Sequence, residues 1–322
     1  MLGEAVSRNH MQLYGYALEN NPLLTARCEN GELFIFSDAI SCANHTATAM
    51  KRIFTFSEKD EPEENWYTKP NIFDILRRAG YHTVWISNQS PISFWGSHDK
   101  IYAERCDENF FPESAKGGTT KDFDSILFPA IDEFLASAHD KNFYVVHLYG
   151  AHPAYSLRYP KAFEKFTVAD EDKPTAEGRK VAADYDNAIF YGDYVLDEIF
   201  RRFEDKTALV IYISDHGQEV FEGGSEFAGH ASEETGSRSM IEIPMLVWTS
   251  EKFRELYPEK VSAIAAAVDR PYRTDFIIHA VLDLLDIRTQ SFEPEKSIVN
   301  EKFSPAARIY NGKPYSLEKQ GG

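Results

Sequence analysis

One stretch constrains the fold more than any other: Ala208-Leu209-Val210-Ile211-Tyr212-Ile213, an apolar and largely β-branched run that stops abruptly at Ser214-Asp215-His216-Gly217. An uninterrupted apolar run bounded by polar residues reads as a strand covered on both faces, the kind found in parallel sheets flanked by helices. In open α/β sheets, ligands gather outside the carboxyl ends of such strands. Asp215 and His216 stand at that end, and the break at Gly217 lets both side chains turn toward one point. A hard oxygen and a borderline nitrogen suit a transition metal such as zinc. An aspartate capping a turn beside a surface histidine is the alternative, so the reading depends on partners elsewhere in the chain.

The same strand-then-polar-end pattern recurs. Thr83–Ser87 reads as a strand after an amphipathic helix over 71–80, and it ends in Asn88-Gln89. Phe143–Tyr149 follows a helix over 124–138 and ends in Gly150-Ala151-His152. A long helix over 182–203 leads into the central strand, Leu33–Phe36 and Ile243–Trp248 read as further strands, and a helix over 274–285 closes the pattern. Alternating helices and strands predict an α/β fold with a mostly parallel central sheet and helices on both faces. Pro244 places its strand's start at a first turn or at an edge. Residues 97–122, 161–179 and 218–239 read as irregular excursions, and the tail beyond about residue 290 carries little pattern. A loop as long as 218–239, which holds Gly229-His230, is commonly functional.

Two further positions carry chemistry. Gly3-Glu4 opens the chain with almost nothing before it, as expected if Glu4 ends a strand of which most is missing; a solvated glutamate at a frayed terminus is the alternative. A helix is predicted to start near Thr46, after the small-residue segment Ser41-Cys42-Ala43-Asn44-His45. A hydroxyl there serves as a helix cap, or faces the N–H groups and positive dipole end that stabilise phosphate oxygens. A metal beside it would complete an activated nucleophile. Single histidines at strand ends are commonly structural, but Glu4, Thr46, His152 and Asp215-His216 together argue for one composite site in one domain spanning 1–322.

Charge narrows the partners. The chain has 34 basic and 51 acidic residues, a net −17 without a basic run, which speaks against nucleic-acid backbones and polybasic membrane patches. An acidic protein that handles an anionic substrate needs a metal to hold it. Cys28, Cys42 and Cys106 match neither a zinc knuckle nor a redox pair and allow at most one disulfide. No apolar run reaches the roughly 18 residues of a membrane helix.

Taken in order, Gly3-Glu4, Ser7-Arg8, Met11, Leu13-Tyr14-Gly15-Tyr16, the small-residue segment with Thr46, Tyr81 to Gln89, Gly150-Ala151-His152, Ser214–Gly217 and Gly229-His230 resemble the periplasmic domain of bacterial phosphoethanolamine transferases, within the alkaline phosphatase and sulfatase superfamily. Trp248–Lys252 and Val268–Tyr272 are most similar to the branch that modifies lipopolysaccharide core heptose. The resemblance implies zinc held by Glu4, Thr46, Asp215 and His216, with Thr46 also the nucleophile. It implies substrate-phosphate or second-zinc roles for His152 and His230, and donor binding by Asn88 and Gln89. It further implies phosphatidylethanolamine as donor, a lipopolysaccharide acceptor, membrane helices ahead of this domain and a place at the periplasmic face of the inner membrane. Relatives that modify lipid A carry a disulfide flanking the nucleophile, whereas here Arg52 or its neighbours occupy the place of the partner to Cys42. Sulfatase chemistry proper needs a Cys-x-Pro-x-Arg setting that residues 42–46 lack. Lipid A phosphoethanolamine transfer, phosphoglycerol transfer or phosphodiester hydrolysis within the same superfamily, and a non-catalytic lipopolysaccharide-binding module are the remaining alternatives.

Overall fold

The computed structural model describes residues 1–61, 66–92, 98–115, 122–222, 225–231 and 236–317. Among them a seven-stranded sheet is formed by β1 (Leu2–Gly3), β2 (Leu33–Ile35), β3 (His82–Ser87), β4 (Glu108–Phe110), β5 (Asn142–His147), β6 (Leu209–Ser214) and β7 (Met245–Thr249), in the spatial order β2-β7-β6-β1-β5-β3-β4. The pairs β6–β1, β1–β5, β5–β3 and β3–β4 are parallel, and β7 runs antiparallel to both β6 and β2. Five neighbouring strands therefore end on the same edge, which brings Glu4, Asn88, Leu148 and Asp215 to one side of the sheet. Pro244 stands just ahead of β7, where its missing N–H costs the ladder nothing, and β7 is an interior strand.

Side chains alternate between the two faces, as the pleat requires. Trp85, Val145, Ile213 and Val247 share one core with residues of α2 (Thr46–Ile53), α3 (Ile72–Arg78) and α9 (Ile277–Leu284), among them Met50, Phe73, Leu76, Ile278 and Leu282. Val84, Ile86, Val146, Tyr212 and Trp248 share the other with α1 (Pro22–Glu29), α5 (Phe128–Ala136) and α6 (Ala176–Phe203), including Leu24, Ile131, Val195 and Ile199. Helices thus cover both faces, as the apolar strands require.

Several expectations change. The excursion over 97–122 contains α4 (His98–Ala103) and the edge strand β4, while 116–121 lie outside the described residues. β4 is short and polar because an edge strand buries little, so periodicity does not mark it. α6 begins at Ala176 instead of 182: the Thr175 hydroxyl caps it by accepting from Gly178 N, a signal outside the apolar stripe. After β7 come α7 (Glu251–Leu256), capped by Ser250, and α8 (Pro258–Ala265), with proline at its first turn. The tail forms a small hairpin, Ile309–Tyr310 against Lys313–Pro314, turned by Asn311-Gly312 at positive φ, the pairing such turns favour. The long loop after β6 pairs Glu219–Val220 with Ala228–Gly229, and 223–224 and 232–235 within it lie outside the described residues. All three cysteines are free thiols.

Candidate active site

Sheet order assembles the site. β1 lies between β5 and β6, so Glu4, the first residue past β1, stands beside Asp215, the first past β6, and Asp215 N donates to Gly3 O at 3.0 Å. Both carboxylates and the His216 ring are buried. Asp215 Oδ1 accepts from His216 N at 2.7 Å and Ala5 N at 3.2 Å, which leaves Oδ2 buried without a hydrogen bond. His216 Nδ1 donates to Gly217 O at 2.7 Å, so Nε2 is directed inward, 3.2 Å from Glu4 Oε1 and 3.6 Å from Asp215 Oδ2. One donor atom from each of the three residues lies within 4.8 Å of the others. Thr46 Oγ1 adjoins the group, 3.1 and 3.3 Å from the Glu4 oxygens and 3.5 Å from His216 Nε2.

The charges in this cluster are tightly linked. Burial, then the charge of Glu4, pushes Asp215 up to about 6 against the attraction of His216. Glu4 is also raised by burial, but the hydrogen bond and charge of His216, then the charges of His152 and His147, outweigh this and hold it at about 2. His216 is opposed by burial and yet lifted to about 9 by Asp215 and Glu4. Two buried carboxylates facing one imidazole leave a surplus of negative charge, and a buried oxygen without a donor is costly. Asp215 Oδ2, which has no hydrogen bond, and the inward Nε2 are what a divalent cation would satisfy, and the oxygen-rich set with one imidazole fits a catalytic zinc.

Thr46 is the first residue of α2, and its predecessor His45 makes no side-chain cap bond; the first N–H groups of a helix have no partner within the helix itself. Thr48, the other hydroxyl in the segment, is buried and lies 3.3 Å from His45 Nε2. The Ser41 hydroxyl bonds Asp215 O. Arg52 Nη1 donates to Cys42 O at 3.0 Å, bracing the loop before Thr46 to the last turn of α2 without a covalent link.

The remaining expected residues divide. Gln89 reaches the cluster, donating to Glu4 Oε2 at 3.3 Å and Leu148 O at 3.1 Å. Asn88, also expected to bind the donor, is buried, and its Nδ2 donates to Asp124 Oδ1 at 2.9 Å and Asp122 O at 3.1 Å. Asp124 in turn accepts from Tyr149 N and Gly150 N, at 2.7 and 2.9 Å. Asn88 therefore props the loop that arches over Glu4, where Ala151 N donates to Glu4 O at 3.0 Å. Gly150 is required in this arch: at φ +55 a Cβ there would stand 2.6 Å from Glu4 O. His152 packs on Tyr149, with ring centroids 5.2 Å apart, and its Nδ1 lies 2.7 Å from Pro153 O. The His230 ring lies 4.7 Å from that of His216, and burial together with His216's charge pushes it down to about 4, leaving it neutral. His147 was not singled out from sequence. It is buried at the end of β5 with Nδ1 2.7 Å from Asp99 Oδ1, and its charge acts on Glu4 and Asp215. A histidine closing an apolar strand was the available signal.

Comparison with known proteins gives the site a context. The sulfatase family model matches residues 1–287. The chain is 29% identical to phosphoethanolamine transferase EptC of Escherichia coli K12 over 321 residues, covering 98% of this chain and 55% of that protein. It is 30% identical to phosphoethanolamine transferase CptA of Salmonella typhimurium, again covering 98% and 55%. The chain thus spans about half the length of the curated relatives it matches. Among solved structures, the C-terminal periplasmic domain of EptC from Escherichia coli superposes with a TM-score of 0.88 at 29% identity, over 95% of this chain and 86% of that one. The same domain in complex with zinc gives 0.87 at 28% identity, with the same coverage. A phosphonate monoester hydrolase of Agrobacterium radiobacter, with a TM-score of 0.67 at 13% identity over 89% of this chain and 73% of that one, shares the fold alone. Because the family match runs from the strand that delivers Glu4 through the helix that closes the sheet, the chain belongs to the sulfatase family.

Proposed function

We propose that residues 1–322 form the catalytic domain of a zinc-dependent phosphoethanolamine transferase. It moves phosphoethanolamine from phosphatidylethanolamine to a lipopolysaccharide sugar, core heptose, at the periplasmic face of the inner membrane. The observation that carries the reading is the Thr46 hydroxyl at a helix start, against a buried cluster whose Asp215 Oδ2 lacks a hydrogen bond. The similarity to EptC and CptA supports the transferred group, and the zinc complex of the EptC domain supports the metal.

Glu4, Thr46, Asp215 and His216 would hold the zinc, which when bound lowers the pKa of a coordinated hydroxyl and stabilises charge on phosphoryl oxygens. Thr46 Oγ attacks the donor phosphorus, the P–O bond to diacylglycerol breaks, and phosphoethanolamine stays on Thr46. An acceptor hydroxyl then attacks the same phosphorus and releases Thr46. The α2 N–H groups face the equatorial oxygens, and His152 and His230 serve as hydrogen-bond donors and proton carriers. Gln89 fixes Glu4 on the side away from His216.

Intact-protein mass spectrometry after incubation with phosphatidylethanolamine tests the first half. One phosphoethanolamine adduct is expected, mapping to Thr46 and retained in Thr48→Ala. An adduct that survives Thr46→Ala, or that maps to Thr48, overturns the assignment. For the acceptor, the complete protein expressed in a strain lacking related transferases should place the group on the core oligosaccharide. Its appearance on the lipid A fragment alone refutes the heptose choice.

A further inference from the structure

Arg158 is more than nine-tenths buried, and among the described residues no carboxylate comes within ion-pair distance of it. Its guanidinium carbon sits 4.2 Å above the Tyr149 ring, and the one hydrogen bond its side chain makes to a backbone atom is a long one, 3.4 Å from Nε to Ala154 O. The neighbouring acid is Asp124, whose oxygens are already taken: Oδ1 by Asn88 Nδ2 and Tyr149 N, Oδ2 by Gly150 N. A buried charge normally has a paired counter-charge, because desolvation without one is expensive. Tyr149 supplies a cation–π contact and a side-chain hydrogen bond, and the charge of Asp124 acts on the guanidinium from further off; these offset a part of that cost, and the rest of the planar fork remains available for an anion. The position is telling. Tyr149 contacts both this guanidinium and the His152 ring, whose centroid is 5.2 Å from its own, and the charge of His152 acts on Glu4.

We propose that Arg158, seated on Tyr149, is an anion subsite that binds a phosphate oxyanion of a substrate. That the substrate is one of the two in phosphoethanolamine transfer rests on the function proposed above. The oxyanion is either the donor phosphodiester or a phosphate carried by the acceptor saccharide.

The direct test is independent of catalysis. Inorganic phosphate is titrated into metal-free protein, so that no zinc competes for it, and the Arg158 Nε–H resonance, identified by its loss in Arg158→Lys, is followed by NMR. Saturable displacement of that resonance is expected, with affinity at least tenfold weaker in Arg158→Gln as read by calorimetry. Arg158→Met should unfold no earlier than wild type, since it removes an unpaired buried charge; clear destabilisation, with phosphate binding unchanged in Arg158→Gln, would make Arg158 a structural residue and overturn the proposal. Two kinetic arms separate the sources. A tenfold slower labelling of Thr46 by phosphatidylethanolamine in Arg158→Gln assigns the site to the donor phosphate. Unchanged labelling with a raised KM for a phosphorylated saccharide, and no change for its dephosphorylated form, assigns it to the acceptor. Phosphate binding with neither kinetic effect means an adventitious ion only and refutes the subsite.

Discussion

Replacing Asp215 by Asn separates what the site costs the fold from what it gives the metal. Asn keeps the oxygen that accepts from Ala5 N and His216 N, at 3.2 and 2.7 Å, and exchanges only Oδ2, which has no hydrogen bond, for an NH₂ group. In the metal-free protein the carboxyl is fully buried and its pKa is raised from 3.8 to about 6, by burial first and by Glu4 second. At 1.36 kcal/mol per unit, ionised Asp215 costs roughly 3 kcal/mol of stability. Because the folded pKa lies above the unfolded one, this penalty is absent below pH 4, grows as pH rises through the window from 4 to 6, and is complete above it. Metal-free Asp215→Asn is therefore expected to be more stable than metal-free wild type at pH 8, by up to ~3 kcal/mol, or about 6 °C at roughly 2 °C per kcal/mol for a chain of this size. The two should converge at pH 4. Zinc reverses the order: at a hundredfold excess over its Kd it adds about 2.7 kcal/mol to wild type and little to the variant, which has lost a charged ligand. Differential scanning calorimetry of chelator-treated and zinc-loaded samples at pH 4, 6 and 8 measures all of this. A metal-free variant that melts below wild type at pH 8, or an equal zinc shift in both proteins, refutes the reasoning.

Gly150→Ala should damage the site through Glu4: the new Cβ meets Glu4 O at 2.6 Å and Glu4 N at 2.9 Å, and left-handed strain alone is worth roughly 1–2 kcal/mol. Gly80→Ala, at φ +83 with nothing within 4 Å, should carry the strain without the clash and keep wild-type zinc affinity in calorimetric titration; equal zinc affinity in both variants would contradict the packing argument. His10 is buried against Asp186 and Glu222, at 2.8 and 2.6 Å, and although burial opposes its charge these partners raise its pKa to about 9. Its contribution, on the order of 3 kcal/mol by the same conversion, is fully present below pH 6.5 and lost as pH climbs to 9. Urea unfolding of His10→Gln should thus show a deficit at pH 6 that shrinks by pH 9, and a deficit that does not change with pH would sink the charged-histidine account.

Strand ends that carry ligands were legible because an apolar run and the polar residues that stop it are local facts: Ile213 to His216 and Val146 to His152 announce themselves, as does the start of α2 at Thr46. The α/β class followed from the same alternation. What local pattern could not supply is which strand ends are neighbours. β1 has two residues, too few for a period, yet its place between β5 and β6 decides that Glu4 faces Asp215. Likewise Asn88 and Gln89 are chemically alike at the end of one strand, but adjacent residues diverge, so one amide is spent on Asp124 and the other reaches Glu4. The Arg52 brace on Cys42 and the isolation of Arg158 depend in the same way on contacts between segments. Periodicity reports how each segment divides its residues between core and solvent, whereas the site arises from register and sheet order, which are set by the packing of elements up to two hundred residues apart.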